Sequence, residues 1–551
     1  MNTAQLLVKC LENEGVKYIF GIPGEEVLDI MQALRDSSIK FILVRHEQGA
    51  AFMADVYGRL TGKAGVCLST LGPGATNLIT GLADANCDGV PLVAITGQVP
   101  TDRLHITAHQ FLDLNRLFSP ITKRTKEILS PETVQEVVRL AFKYAEGDMP
   151  GATHITLPVD VARMPVAEGD VPLKHSFLEL DERAEWGAID RAAELIRQGK
   201  KTVVLAGNGV VRNHAGAALA RLADNAHLPV INTMMAKGVI RCDDPYSCST
   251  VGLPFRDFGN LILSEADTIV AVGYDLVELD PSSWNKDCRT HIVHVATLPA
   301  DVNKYYQADV QVVGSLSQSL DGIASLLSDY VSDSSWALEI RKMAQENDEE
   351  DKKDASFPAK PQRIIADIRS VMSDDDILVS DVGANKVWVA REFPCYLPNT
   401  CLISNGFASM GFCLPGAIAA KLVYPERHVV GVTGDGGFLM NCQELETAVR
   451  LGLSIVIVIL HDDSYGLIKW KEMDHYGSSC FVDYGDPDFV AFAESFGAKG
   501  YRIARTEELV PVLKEAFSQS VPSVIDCPVD YRENLRLEAR MKEICASRKK
   551  G

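Results

Sequence analysis

Residues 428–466, HVVGVTGDGGFLMNCQELETAVRLGLSIVIVILHDDSYG, limit what this chain can fold into more than any other stretch. An apolar run over 428–432 ends in Gly434-Asp435-Gly436-Gly437. A helical pattern follows over about 440–453. A second apolar run, 454–460, then delivers Asp462-Asp463-Ser464. Asp462 follows Asp435 by 27 residues. A strand–helix–strand unit of that length sets the ends of two parallel strands side by side. Two oxygen-rich loops then converge beside a helix N-terminus, where backbone N–H groups favour phosphate. Carboxylates and phosphates together suit Mg2+, a hard cation that takes oxygen ligands. The stretch therefore reads as a Mg2+–diphosphate site.

The rest of the chain is ordinary globular sequence. At 551 residues it exceeds one core and predicts two to four domains. A net charge of −20 argues against a nucleic-acid surface and against an anionic membrane as partner. The 13 cysteines show no C-x-x-C pair, so reduced, mostly buried thiols in a cytoplasmic protein are expected. The N-terminal residues carry no signal-peptide pattern, and no apolar run reaches transmembrane length.

Two polar stretches, 165–185 and 332–362, interrupt the rhythm and read as linkers or exposed helix faces. They leave three α/β segments: 1–165, 186–335 and 360–551. Each alternates short apolar runs with helical stretches, which predicts doubly wound parallel sheets. The first and third segments share a plan of strand, glycine turn, helix and strand. The central segment has VVLAGNGVV (203–211) and DTIVAVGYD (267–275), again strand then glycine. It has no GxGxxG followed by an acidic residue at dinucleotide-binding distance.

The GDG unit resembles the cofactor motif of thiamin-diphosphate enzymes, and the similarity to acetolactate synthases extends over nearly the whole chain. The resemblance implies a pyrimidine-binding first domain, a central domain and a diphosphate-binding third domain. It assigns Mg2+ to the carboxylates of Asp435 and Asp462 and the backbone carbonyl of Ser464. Gly434, Gly436, Gly437, Tyr465 and Gly466 join them as cofactor contacts. Residues 41–62, FILVRHEQGAAFMADVYGRLTG, resemble the segment that supplies a carboxylate to the pyrimidine ring, which makes Glu47 the catalytic candidate. Its plainer role is a helix-start Glu favoured by the macrodipole. The segment 404–416, SNGFASMGFCLPG, resembles the one that bends the cofactor. Met410 fits the apolar wedge, and the carbonyl of Ala408 fits the acceptor for the 4′-amino group; ordinary core filling is the alternative for Met410. The loop 381–385 matches one that touches the diphosphate, with Ala384 and Asn385 in place of the Gln-His of anabolic synthases. Pro23, Thr70 and Asn77 complete the cofactor set, and Gln110, in TDRLHITAHQFLDLNRLFSPITK (101–123), approaches the reacting carbon.

The segment GYDLVELDPSSWN (273–285) is similar to the FAD-independent, catabolic type, so no FAD is expected. Where catabolic relatives tend to carry Ala-Lys, this chain has Glu25-Glu26. Trp470 fits either a substrate-shaping position or packing at a loop edge. The resemblance implies decarboxylation of pyruvate and its condensation with a second pyruvate to 2-acetolactate. A 2-oxo acid decarboxylase that releases an aldehyde is the alternative on the same fold. It further implies small 2-oxo acid substrates, a homodimer as the minimal active unit and a homotetramer as the usual assembly. In the family, Glu47 and the GDG loop of one active site come from different chains.

Overall fold

The computed structural model describes residues 1–147, 149–174, 183–253, 257–485 and 487–548. Among these, eighteen strands form three six-stranded sheets with every pairing parallel. The first holds β1 (Tyr18–Gly21), β2 (Lys40–Leu43), β3 (Gly65–Ser69), β4 (Leu92–Gln98), β5 (Arg124–Glu127) and β6 (Ala152–Pro158), ordered β2-β1-β3-β4-β6-β5. The central sheet holds β7 (Thr202–Ala206), β8 (Val230–Thr233), β9 (Ser247–Val251), β10 (Thr268–Val272), β11 (His291–Ala296) and β12 (Val310–Val313), ordered β12-β11-β10-β7-β8-β9. The third holds β13 (Ile377–Ser380), β14 (Cys401–Ile403), β15 (Val429–Gly434), β16 (Val456–His461), β17 (Lys499–Arg502) and β18 (Ser523–Pro528), ordered β14-β13-β15-β16-β18-β17.

The first and third sheets thus share one strand order, and the common plan read from their sequences is a common topology. Read from β9, the central order is that of a doubly wound dinucleotide fold, with its switch point between β7 and β10. Central strands such as β4, β10 and β16 are buried along almost their whole length, as apolar runs in sheets covered on both faces must be.

Helix Glu47–Thr61 joins the first and third sheets. Its EQGAAFMADVYGRLT sequence is small and apolar all round, so nearly every residue is buried. It lies against helix Cys413–Val423 of the third domain, with Phe52 edge-on to Phe412 at 5.6 Å. One core therefore serves both domains.

Two expectations need correction. Most of the charge run 332–362 is a helix, Ser335–Asp351, as the second of its two readings has it, but that helix has a covered face. Its Trp336, Ala337 and Ile340 are buried in the core shared by the central and third domains. The helical pattern at 440–453 is two helices, Asp435–Asn441 and Glu444–Arg450, and the first begins on the motif aspartate itself. The stretch 165–185 lies partly outside the described residues; Pro165 bridges to Asn2.

A buried histidine marks the first sheet. His154 on β6 shares hydrogen bonds with Thr96 (2.9 Å) and Thr125 (2.8 Å) and stacks on Phe118 at 4.1 Å. Burial holds its imidazolium down to about 3. An unfolded chain protonates this ring near pH 6.5, so the unfolded state binds the extra proton and stability falls with falling pH across that window. Denaturant titrations between pH 7 and 4.5 are expected to show a slope shallower by up to about 1.4 kcal/mol per pH unit in His154→Gln than in the wild type. Equal slopes would show that the ring titrates freely in the native state.

Candidate active site

The third sheet sets the acidic loops side by side. β15 and β16 are adjacent and in parallel register, with Gly434 opposite Leu460. Asp435 is 1% exposed. Its Oδ2 accepts the backbone N–H groups of Asp462 (2.9 Å) and Asp463 (2.8 Å), so the second acidic loop is stitched to the first. Its Oδ1 accepts the Gly436 N–H and the Tyr484 hydroxyl, both at 2.7 Å. Asp462 takes the Ser464 hydroxyl at 2.7 Å. Burial and the adjacent Asp435 charge push the Asp462 carboxyl up to about 7, against the opposing Ser464 hydrogen bond. Among the described residues no three His, Cys, Asp or Glu side chains group as a metal cage. Two carboxylates, the Ser464 carbonyl and oxygens of a bound diphosphate form the donor set that Mg2+ prefers. A divalent cation would remove the like-charge strain, so the residues fit it.

The glycines follow from crowding. A Cβ at Gly436 would stand 2.6 Å from the Tyr484 hydroxyl, and one at Gly437 would stand 2.8 Å from Asp381 Oδ1. Tyr465 lies edge-on to Tyr484 at 4.9 Å, and Gly466 follows it at the start of helix Gly466–Tyr476.

Asp381, at the end of β13, organises the bend segment. Its carboxylate accepts the N–H groups of Gly411 (2.9 Å), Cys413 (3.0 Å) and Val382 (2.8 Å), and burial drives it up to about 6. The Gly411 carbonyl accepts the Asn441 amide at 2.8 Å. Gly411, next to Met410, is thus held at both its N–H and its carbonyl; Met410 is half-buried, while Ala408 is exposed with φ +55°. Ala384 is buried. The amide of Asn385 donates to the carbonyls of Asp381 (2.9 Å) and Val432 (3.3 Å), tying β13 to β15. Only its oxygen is left to face Gly434.

The first domain brings a second set together. Glu47 opens its helix and is 7% exposed; its Oε2 accepts the Asn77 amide at 2.9 Å. Gln110 is exposed with φ +56° and lies over Gly72, at the entry to the helix that carries Asn77. Thr70 donates to Glu26 at 2.6 Å, and Pro23 stands exposed in the neighbouring turn. Glu26, part of the Glu25-Glu26 departure, is therefore pinned within its own domain. Facing outward on the third domain are Phe407 (48%), Met440 (43%) and Tyr465 (40%).

Other candidates resolve simply. Trp470 is 3% exposed and its indole donates to Glu538 at 2.9 Å, which is the packing role. His105 and His109, in the same stretch as Gln110, are exposed. In the central domain Glu278 is 3% exposed at the switch point, and it accepts the N–H groups of Asn208 (3.0 Å) and Asp275 (3.2 Å) and the Thr233 hydroxyl (2.5 Å). Burial pushes this carboxyl up to about 7. Sequence reasoning missed Tyr484, Glu278 and the clamping role of Asp381. Asp381 was signalled by its place at a strand end beside glycine, whereas Tyr484 had no local signal.

Three parallel sheets with paired acidic loops define a thiamin pyrophosphate enzyme. The family's N-terminal TPP binding domain, central domain and C-terminal TPP binding domain match residues 1–117, 189–323 and 381–527. The acetolactate synthase of Bacillus subtilis (strain 168) is 38% identical over 97% of this chain and 94% of its own length. The catabolic acetolactate synthase of Raoultella terrigena is 37% identical over 96% and 95%. A probable acetolactate synthase large subunit from Methanocaldococcus jannaschii is 38% identical over 97% and 93%. The chain belongs to the acetolactate synthase family.

Removing the Asn77 amide leaves a buried carboxylate oxygen of Glu47 without its donor. An unsatisfied buried group costs about 1–3 kcal/mol, so Asn77→Ala is expected to lower kcat by roughly 5- to 150-fold. Melting should shift by only a few degrees. Steady-state kinetics with a thermal scan checks this; wild-type turnover would remove Asn77 from the site.

Proposed function

We propose that this protein decarboxylates pyruvate and condenses the remaining two-carbon unit with a second pyruvate, giving 2-acetolactate and CO2. One observation carries the chemistry. A buried carboxylate, Glu47, is oriented by Asn77 at the start of a buried helix, while the Asp435 and Asp462 carboxylates lie side by side at the ends of two adjacent strands. When bound, thiamin diphosphate supplies the electron sink that accepts the pair released as CO2 leaves.

The chain's own residues do the rest. Asp435, Asp462 and the Ser464 carbonyl would hold Mg2+ and, through it, the diphosphate. Ala384, Asn385 and the backbone of Gly434, Gly436 and Gly437 would line the diphosphate's seat, with Tyr465 and Gly466 beside it. Met410 and the Ala408 carbonyl would hold the pyrimidine and thiazolium rings bent toward each other. Glu47 would exchange a proton with pyrimidine N1′. Pro23, Thr70, Asn77 and Gln110 would close the first-domain side, with Gln110 nearest the substrate. Small 2-oxo acids are the substrates.

A homodimer is the proposed active unit, with a homotetramer as its assembly. In one chain the Glu47 carboxylate bonds within its own domain, and the third-domain set is rimmed by exposed Phe407, Met440 and Tyr465. Those apolar side chains suit burial by a second copy. Operation without FAD is also proposed. Glu278 takes up the backbone N–H groups at the central switch point, where a dinucleotide diphosphate would otherwise bind. All 13 cysteines are free, which suits a reducing cytoplasm. No described helix is long and apolar enough to cross a membrane.

With pyruvate, Mg2+ and thiamin diphosphate, the expected product is acetolactate, with acetoin after its breakdown. Acetaldehyde as the main product would make the protein a decarboxylase. Glu47→Gln is expected to lower turnover by about 10²- to 10⁴-fold, the usual scale of positioned acid–base catalysis. Calorimetry should find its cofactor affinity unchanged within about threefold, since N1′ is remote from the diphosphate. Near-normal turnover would remove Glu47 from the reaction.

A further inference from the structure

The shared strand order places β2 and β14 equivalently, and likewise β3 and β15. The segment after β2 leads into Glu47, and the segment after β14 leads to Ala408 and Met410. The helices that follow β3 and β15 each send a carboxylate across to the other domain.

From the third domain, Glu444 is 0% exposed. Its Oε1 accepts the N–H groups of Arg45 and His46, both at 3.0 Å, and its Oε2 accepts the Thr447 hydroxyl at 2.7 Å. A Cβ at Gly49 would stand 2.8 Å from Oε1, so the glycine makes room for this approach. From the first domain, Asp88 is 2% exposed. Its Oδ2 accepts the Asn405 N–H at 3.0 Å and its Oδ1 accepts that of Gly406 at 2.5 Å. Beside it, Asp84 accepts the Ser404 hydroxyl at 2.6 Å. Arg59 holds Asp88 at 2.7 Å and also donates to the Ile403 carbonyl.

We propose that Glu444 and Asp88 are reciprocal positioning residues, each fixing the backbone segment through which the other domain presents its reactive group. Neither touches the reacting atoms. Glu444 sets where Glu47 stands, and Asp88 sets where Ala408 and Met410 stand. The proposal rests on the roles given above to Glu47, Ala408 and Met410. The buried N–H groups concerned have no solvent to turn to if the carboxylate is lost, so their segments must loosen or shift.

Amide hydrogen exchange of the cofactor-free protein tests the clamp without reference to catalysis. In Glu444→Ala the peptide covering 44–48 should exchange at least about tenfold faster, and in Asp88→Asn the peptide covering 404–410 should do the same. In the loaded enzyme both variants should lose at least about tenfold in kcat, with pyruvate KM and cofactor Kd held within about threefold. Glu444→Gln should restore exchange and kcat, because its amide oxygen can accept both N–H groups while its NH2 donates to Thr447. Should Glu444→Ala not fold, Gly49→Ala displaces the carboxylate instead and should raise exchange over 44–48. Unchanged exchange in the folded variants, or a Glu444→Gln as impaired as the alanine variant, would overturn the proposal. A fully active Glu47→Gln would instead strike at the role of Glu47 and leave the exchange result standing.

Discussion

Helix Glu47–Thr61 lies against helix Cys413–Val423, and this contact decides where Glu47 and Met410 can stand. The two helices follow equivalent strands of sheets with one strand order. Both helices are rich in alanine and glycine, and a Cβ at Gly416 would stand 3.1 Å from Val56 Cγ2. Large side chains fill what remains, Phe52 against Phe412 and Arg59 over the same ring at 5.3 Å. With the helices fixed, Glu47 at the head of one and Met410 just ahead of the other have little freedom left. Interiors packed at crystal-like density carry such constraints without slack.

On this frame the site is built almost entirely from buried carboxylates. Asp381, Asp435, Glu444 and Asp88 each accept two or more backbone N–H groups. Those hydrogen bonds offset the desolvation of the charge and at the same time fix loops that carry no regular structure of their own. Asp462 differs. It accepts one hydroxyl and stands beside Asp435, and burial together with that neighbouring charge drives it up to about 7. The carboxylate with the least internal compensation is the one proposed to meet a cation. In the central domain Glu278 shows the opposite arrangement, a carboxylate fully engaged by its own fold where other folds of this order receive a ligand.

How much was legible in the sequence follows from range. The GDG turn, the 27-residue spacing and the two apolar strands are local, and parallel pairing of β15 with β16 puts their ends together as that spacing requires. Glu47 was marked by its strand–turn–helix context, and Met410 by its glycine-rich setting. Glu444 was not legible, because its partners lie 399 and 398 residues away and it reads as one more helix-start acid. Asp84, Asp88 and Tyr484 were hidden for the same reason. The charge run 332–362 misled because its charges dominate composition, while three apolar side chains of the 335–351 helix decide its burial. The helix after the GDG turn was misplaced because Asp435 itself starts it, and Cys442 and Gln443 break it before Glu444.

The central claim is that Glu47 makes the bound cofactor reactive rather than merely holding it. The most direct measurement is the rate at which the C2 proton of bound thiamin diphosphate exchanges with deuterium, followed by NMR after rapid acid quench. In Glu47→Gln, at matched cofactor occupancy, the exchange should slow by about 10²-fold or more. Exchange at the wild-type rate in that variant would contradict the account, whatever the turnover.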